Sequence, residues 1–277
     1  MDADRVEQLK RVCCDMRKDC LTMAKAAGSQ GFHFGASFSV IELIAVLYLE
    51  VMKHPGDLLQ DEARDRFILS KGHGVPAVYA VLKQMGVISE QELLTFKADV
   101  TRLYGHPSVN RELGIEFSSG SLGQGLSFGT GVSLALKRKG NETSRTFVLL
   151  GDGECNEGAV WEAAMAAAKY SLTNLTAIID RNHLQYDGSV DKVMPMDSME
   201  EKWRSFGWET RLIDGHDLLQ CYEALSGRSD GPVAVIADTV KGKGVSFMEN
   251  VPAWHHGIMT REQEAQALKE VMWDESR

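Results

Sequence analysis

Apolar positions recur at helical spacing near the start of the chain. The spacing predicts a helix over Val6–Met23 and a second over Ser39–Met52, where Val40, Leu43, Ile44, Leu47 and Tyr48 share a face. Between them, the run from Gly28 to Gly35 (Gly-Ser-Gln-Gly-Phe-His-Phe-Gly) reads as a glycine-punctuated loop. A short apolar strand, Arg66–Leu69, ends in Ser70-Lys71-Gly72-His73-Gly74, and a helix follows with Val78, Leu82 and Met85 on its apolar face. Residues 99–121 carry no strong period. A loop of that length inside a compact domain is usually functional.

Beyond this loop the pattern alternates. Helices are predicted over Leu122–Lys137, Ala159–Tyr170, Met196–Phe206 and Leu218–Leu225, with strands over Thr146–Leu150, Leu175–Ile179, Glu209–Ile213 and Val233–Ala237. Lys241–Ile258 reads as irregular, with a last helix after Thr260. Phe147-Val148-Leu149-Leu150 and Ala177-Ile178-Ile179 are continuously apolar, as expected of parallel strands buried on both faces. The expected fold is therefore α/β: an open, mostly parallel sheet with helices on both faces, as one domain over residues 1–277. Ligands in such sheets bind at the carboxyl ends of the strands.

Composition narrows the class. Hydrophobic residues make up 44% and charged residues 25% of 277, an ordinary globular balance. The net charge of −9 and the lack of a basic run leave no nucleic-acid footprint and argue against docking on anionic membranes. Phe117–Leu136 is uncharged and long enough to span a bilayer, but its many Gly and Ser residues fit a loop entering a buried helix. Five cysteines at irregular spacing fit neither a zinc site nor a disulfide ladder. Reduced thiols of a cytoplasmic protein are expected, and the N-terminus has no signal-peptide pattern.

The chemistry concentrates after two buried strands. Gly151-Asp152-Gly153-Glu154 follows one, and Asp180-Arg181-Asn182-His183-Leu184 follows the next. Asp152 and Asn182 stand one strand–helix–strand unit apart, so adjacent parallel strands bring both to one sheet edge. A carboxylate, an amide oxygen and a nearby backbone carbonyl form a hard oxygen set, which suits Mg²⁺ completed by a phosphate. Amides at the start of the helix near Gly158 point at the same place. Alone, Gly-Asp-Gly is only a tight turn and Asn182 only a cap. The spacing after two buried strands favours the ligand reading. His33, His73 and His106, each in a glycine-bearing loop, suit proton movement near neutral pH. His54, His183, His216 and His255 are read as structural.

The sequence resembles the transketolase family of thiamine diphosphate enzymes. The resemblance rests on Gly151-Asp152-Gly153 with Asn182 thirty residues on, Gly31–Ser39 around His33, Leu69–Gly74, Gly105-His106-Pro107 and Ser118–Gly125. Further matches are Glu157, Glu162, Asp187-Gly188 and His256-Gly257. It implies that Asp152, Asn182 and the Leu184 carbonyl hold Mg²⁺, or Ca²⁺ or Mn²⁺ in its place. It also implies that the Gly153 amide and His73 reach the diphosphate, and that Gly120, Ser121 and Leu122 lie along the aminopyrimidine. His33 and His106 are implied to bond donor-sugar hydroxyls, with His256 facing both diphosphate and sugar. Glu157 and Glu162 are implied to join an acid network between paired sites.

The chain resembles the first domain of transketolases alone, as in split, two-subunit forms. The implied activity is transfer of a two-carbon ketol unit from a phosphorylated or otherwise anionic ketose to an aldose through a carbanion-enamine on thiamine diphosphate. The implied partner is a C-terminal subunit carrying the pyrimidine-binding domain and an activating glutamate, with two copies of each subunit. Phe32-His33-Phe34-Gly35 departs from the family's Gly-His-Pro-Gly, so the two aromatics are expected to narrow or reshape the donor pocket. Gly120-Ser121-Leu122 replaces Gly-Pro-Leu, which spares the backbone contact. The weaker alternatives are a 2-oxo acid dehydrogenase alpha-like subunit, against which the three loop histidines argue, and a non-catalytic cofactor-binding module. A dinucleotide fold is weaker still, because no Gly-x-Gly-x-x-Gly joins a strand to a helix.

Overall fold

The computed structural model describes residues 1–53 and 63–273. His54 lies outside them. In chain order the elements begin with α1 (Ala3–Ala27), α2 (Phe34–Phe38), α3 (Ile41–Val46), β1 (Arg66–Leu69), α4 (Val75–Gln84), α5 (Glu90–Leu93) and α6 (Gly125–Arg138). Next come β2 (Thr146–Gly151), α7 (Gly158–Lys169), β3 (Leu175–Arg181), β4 (Leu184–Gln185), β5 (Gly188–Ser189), α8 (Val190–Val193) and α9 (Met199–Ser205). The last are β6 (Glu209–Asp214), α10 (Leu218–Ser226), β7 (Val233–Asp238) and α11 (Arg261–Glu270).

The main sheet has the order β1-β2-β3-β7-β6, and every pairing is parallel. Its inner strands are apolar throughout because successive side chains enter different layers. Phe147, Leu149, Ile178, Val233 and Val235 pack with α1, α3, α4 and α10 on one face. Val148, Leu150, Ala177, Ile179, Ala234 and Ile236 pack with α6, α7 and α9 on the other. The register pairs Gly151 with Asp180 and Arg181 with Asp238, so the loops after β2, β3 and β7 leave the same edge.

Three of the departures from the predicted elements bear on the site, besides the short helices α5 and α8 that the pattern does not predict. The single helix over Ser39–Met52 is broken at Val40 (φ −116°, ψ 11°) between α2 and α3, and it ends in a wide turn over Leu47–Val51. There the Ser39 hydroxyl donates to Asp180 at 2.8 Å, a contact reaching across the sheet that periodicity does not encode. α6 starts at Gly125, three residues after the predicted Leu122, because side chains of the sheet edge take its leading amides. Gly123 N–H donates to Glu154 at 2.8 Å and Gly125 N–H to the Ser70 hydroxyl at 3.1 Å. The β4–β5 hairpin has no counterpart in the predicted elements, since two-residue strands carry no period. Among the described residues no helix is long and apolar enough to cross a membrane, and Phe117–Leu136 is loop followed by α6. All five cysteines are free thiols.

The packing of α6 on the sheet makes a test. A Cβ on Gly129 would stand 2.4 Å from Val148 Cγ2, while one on Gly131 meets nothing within 4 Å. Gly131→Ala is expected to stabilise the chain by ~0.5–1 kcal/mol through helix propensity. Gly129→Ala is expected to destabilise it by ~1–3 kcal/mol through overpacking. Urea unfolding midpoints compare the two, and equal gains at both positions would contradict the close helix–sheet contact.

Candidate active site

The site is built on a buried ion pair. Lys71, just past β1, is 1% exposed and Asp180, near the end of β3, is 0% exposed. The Asp180 carboxylate accepts from Lys71 Nζ, the Thr239 hydroxyl, the Ser39 hydroxyl at 2.8 Å and the Asn182 amide at 2.9 Å. Burial alone would raise its pKa. The Lys71 charge and the hydrogen bonds from Lys71, Thr239 and Ser39 outweigh burial and hold it below the ordinary value. Because the Asn182 Nδ2 is committed to Asp180, its Oδ1 is turned the other way, where it accepts from Leu184 N–H at 3.2 Å.

Asp152 sits opposite, at the end of β2. It is 3% exposed and accepts from Gly153 N–H at 2.8 Å and His183 N–H at 2.6 Å. Burial first, and then the Asp180 charge, push its carboxyl up to about 6. A carboxylate so short of positive charge favours a cation beside it. The Leu184 carbonyl already faces one: Lys241 Nζ donates to it at 3.1 Å and lies 3.2 Å from His255 Nδ1. Burial, followed by the charge of Lys71, pushes Lys241 down to about 8.

A cavity of about 320 Å³ is lined by His33, His73, His106, Gly120, Leu122, Asp152, Gly153, Glu157, Asn182 and Leu184, all singled out from the sequence. Three other candidates lie off it. Ser121 is exposed beside it, and Glu162 is exposed on α7. His256 packs against His33, with ring centroids 4.6 Å apart, but the adjacent His255 takes the cavity wall. The cause is local. His256 is extended (φ −147°, ψ 130°), and Phe32 and Gly257 exchange both backbone hydrogen bonds at 2.9 and 3.0 Å. His255 closes the 3-10 turn Pro252–His255, where the chain changes direction into that pairing, so the two rings leave the backbone differently and His255, read from sequence as structural, belongs to the cavity.

The expectation that Phe32 and Phe34 reshape the donor pocket is also corrected. Both are buried, with Phe32 against Phe34 and Phe96, and Phe34 against Trp254, away from the cavity lining. Sequence reasoning passes over Lys71, Glu154, Gln185 and Lys241. Lys71 and Glu154 lie inside the glycine-bearing motifs after β1 and β2. Glu154 accepts from Ser70, Gly123 and Gly151, tying three loops together. Gln185 and Lys241 carry no sequence signal.

The histidines form one cluster. The His33 ring lies 5.6 Å from His73, 5.2 Å from His106 and 5.7 Å from His255, and His73 stacks on His255 at 5.0 Å. Burial and then its imidazole neighbours push His33 down to about 3. Burial followed by nearby lysines takes His255 down to about 4, and His73 falls well below the usual range. These rings are neutral near pH 7, each with one donor and one acceptor nitrogen to offer.

The donors fit a divalent ion and a diphosphate. Asp152, Asn182 and the Leu184 carbonyl supply hard oxygens only. Gln185 Nε2, on the cavity wall, is buried without a partner among the described residues, as is the Asn156 side-chain oxygen. No three His, Cys, Asp or Glu side chains among the described residues are arranged to hold a metal, so a bound phosphate would have to complete the coordination.

Residues 12–276 match the family model described as the transketolase thiamine diphosphate binding domain. The chain belongs to the transketolase family. It is similar to an apulose-4-phosphate transketolase subunit of Phocaeicola vulgatus, at 40% identity over 242 residues, covering 86% of this chain and 85% of that one. It is 38% identical over 242 residues to the 6-deoxy-6-sulfo-D-fructose transketolase subunit SqwG of a Clostridium species, covering 86% and 88%. A Campylobacter jejuni transketolase structure superposes with a TM-score of 0.86 at 25% identity, over 98% of this chain and 43% of that chain.

In this transketolase-family site, Asp152→Ala is expected to abolish Mg²⁺-dependent thiamine diphosphate binding in the complex with the partner subunit. Calorimetry reads this, and unchanged affinity would remove Asp152 from the metal set. His33 offers a second test. Its folded pKa lies below its unfolded value, so its stabilising contribution is present above about pH 6.5 and is lost as pH falls toward 3. Relative to wild type, His33→Asn is expected to lose less stability between pH 7 and pH 5, by on the order of 1 kcal/mol after allowance for partial exposure. Parallel urea titrations at the two pH values would contradict this if both proteins lost the same amount.

Proposed function

We propose that this protein is the diphosphate-binding subunit of a two-component transketolase. It acts on an anionic ketose donor and an aldose acceptor, and its partner is a pyrimidine-domain subunit. The observation that carries this reading is the convergence of Asp152, Asn182 and the Leu184 carbonyl beside an imidazole cluster, in a chain that covers 85% and 88% of two relatives named as transketolase subunits. The same relatives are named for a sugar phosphate and a sulfo-sugar, and this supports an anionic donor.

Asp152, Asn182 and the Leu184 carbonyl would hold Mg²⁺, and Lys241 and His73 would supply donors to the diphosphate. Thiamine diphosphate, when bound, supplies the electron sink that lets a carbon–carbon bond be cut and remade. The backbone of residues 120–122 would lie along the aminopyrimidine, with Gly120 and Leu122 on the cavity wall. His33 and His106 bind the donor hydroxyls, and as neutral imidazoles they take up and return hydroxyl protons during the transfer. His255, 3.2 Å from Lys241, would face the diphosphate, and His256 buttresses His33 from behind.

The partner surface in this reading is the joint outer face of α6 and α7. Gln124, Ser127, Phe128, Gly131 and Ala135 make the exposed side of α6 uncharged up to its last turn, where Lys137 and Arg138 stand. Met165 on α7 is 52% exposed and Tyr170, just past its end, 43%, and Phe128, tilted against Phe117 with ring centroids 5.0 Å apart, is 38% exposed. An apolar face of this kind marks an interaction site. Glu157 and Glu162 border it and join the acid network between paired sites. The activating glutamate comes from the partner, and the assembly holds two copies of each subunit.

The purified chain with saturating Mg²⁺ and thiamine diphosphate is accordingly expected to turn over no ketose. Titration with the pyrimidine-domain subunit is expected to restore ketol transfer up to equal stoichiometry, with light scattering giving a tetramer. Full turnover by the chain alone would overturn the two-component reading.

A further inference from the structure

Lys97 adopts left-handed backbone (φ 61°), an unfavourable conformation for a lysine unless its contacts hold it there. Those contacts converge on the loop that carries His33. Lys97 Nζ donates to the Gly31 carbonyl at 2.8 Å and to the Gln30 carbonyl at 3.3 Å. Gln30 Nε2 returns a hydrogen bond to the Lys97 carbonyl at 3.0 Å. Lys97 N–H donates to the Leu103 carbonyl at 3.0 Å, closing the segment that leads to His106. The lysine stem passes directly over Gly105, where any Cβ would stand 2.5 Å from Lys97 Cε. A side chain at position 105 would push the stem aside, and the next residue is His106. The His33 loop is in turn tied to the His256 segment by the paired backbone bonds of Phe32 and Gly257.

We propose that Lys97 is a positioning residue of the donor-sugar pocket: its ammonium group clamps the His33 loop onto the His106 loop and so sets the spacing of His33, His106 and His256. This rests on the reading of His33 and His106 as sugar ligands, with His256 packed behind His33. Lys97 is absent from the cavity wall and acts through them. Its charge faces the same trio. After burial, Lys97 is the leading influence that lowers His106 and His256. The other titratable groups facing the trio are His73 and His255, which Lys71 and Lys241 face in turn. Removing the Lys97 charge therefore lets His106 and His256 take up protons at higher pH.

The test uses the full chain, alone and with its partner subunit. In the reconstituted enzyme, Lys97→Met is expected to lower kcat/KM for the ketose by roughly ten- to a hundredfold, the scale of an ångström-level misplacement. Its acid limb should move to higher pH, and thiamine diphosphate affinity should stay unchanged. Lys97→Arg, which keeps charge and reach, is expected to restore most of the activity. In the chain alone, imidazole NMR is expected to show His106 titrating at higher pH in Lys97→Met than in wild type. If Lys97→Met fails to fold, Gly105→Ala serves instead, because it pushes the stem aside and is expected to lower kcat/KM likewise. Wild-type kcat/KM together with an unmoved His106 titration in the folded variant would overturn the proposal. A wild-type enzyme that turned over no ketose while His106 still shifted would overturn the function reading and leave the electrostatic clamp standing.

Discussion

The carboxylate of Asp180 is kept ionised in the interior of the protein, and the arrangement of the site depends on it. An unpaired charge there would cost several kcal/mol. The sequence supplies four donors from four separate segments: Ser39 between α2 and α3, Lys71 after β1, Asn182 after β3 and Thr239 after β7. Each donor holds its segment at the carboxyl edge of the sheet. Breaking such a pair by removing one partner typically costs about 3–5 kcal/mol. The pair is therefore a constraint on geometry more than a source of net stability.

From this constraint the chemistry follows in two directions. Asp180 takes the Asn182 amide nitrogen, which turns the amide oxygen away from it. Its charge, added to burial, also leaves Asp152 short of positive charge and so receptive to a cation. On the other side, a crowded and buried cluster of imidazoles is kept neutral by mutual proximity and by Lys71, Lys97 and Lys241. One wall of the cavity thus attracts a cation and the phosphates it carries, while the other offers neutral proton donors and acceptors.

Much of this is legible in the sequence where one period or one motif carries it. The five strands of the main sheet fall within two residues of their predicted ends, and for the inner strands β2, β3 and β7 the reason is that continuous apolar runs bounded by glycine and polar residues have few other solutions. Asp152 and Asn182 stand out through their spacing after two such runs. The misses have a common origin in contacts between distant segments. The break at Val40 follows from Ser39 reaching Asp180, 141 residues away. The choice of His255 over His256 for the cavity wall depends on a backbone pairing with Phe32, and the burial of Phe32 and Phe34 depends on Phe96 and Trp254. Lys71 and Lys241 look like ordinary surface lysines until the fold closes over them.

The central claim is that the loops after β2 and β3 hold a divalent ion and, through it, a diphosphate. An anomalous-scattering map from crystals of the chain with its partner subunit, grown with Mn²⁺ and thiamine diphosphate, tests it most directly. The account predicts a single strong peak bonded to the Asp152 carboxylate, the Asn182 side-chain oxygen and the Leu184 carbonyl, with Lys241 displaced from that carbonyl. A cofactor bound with no metal peak between these three oxygens, or a peak elsewhere in the cavity, would contradict it.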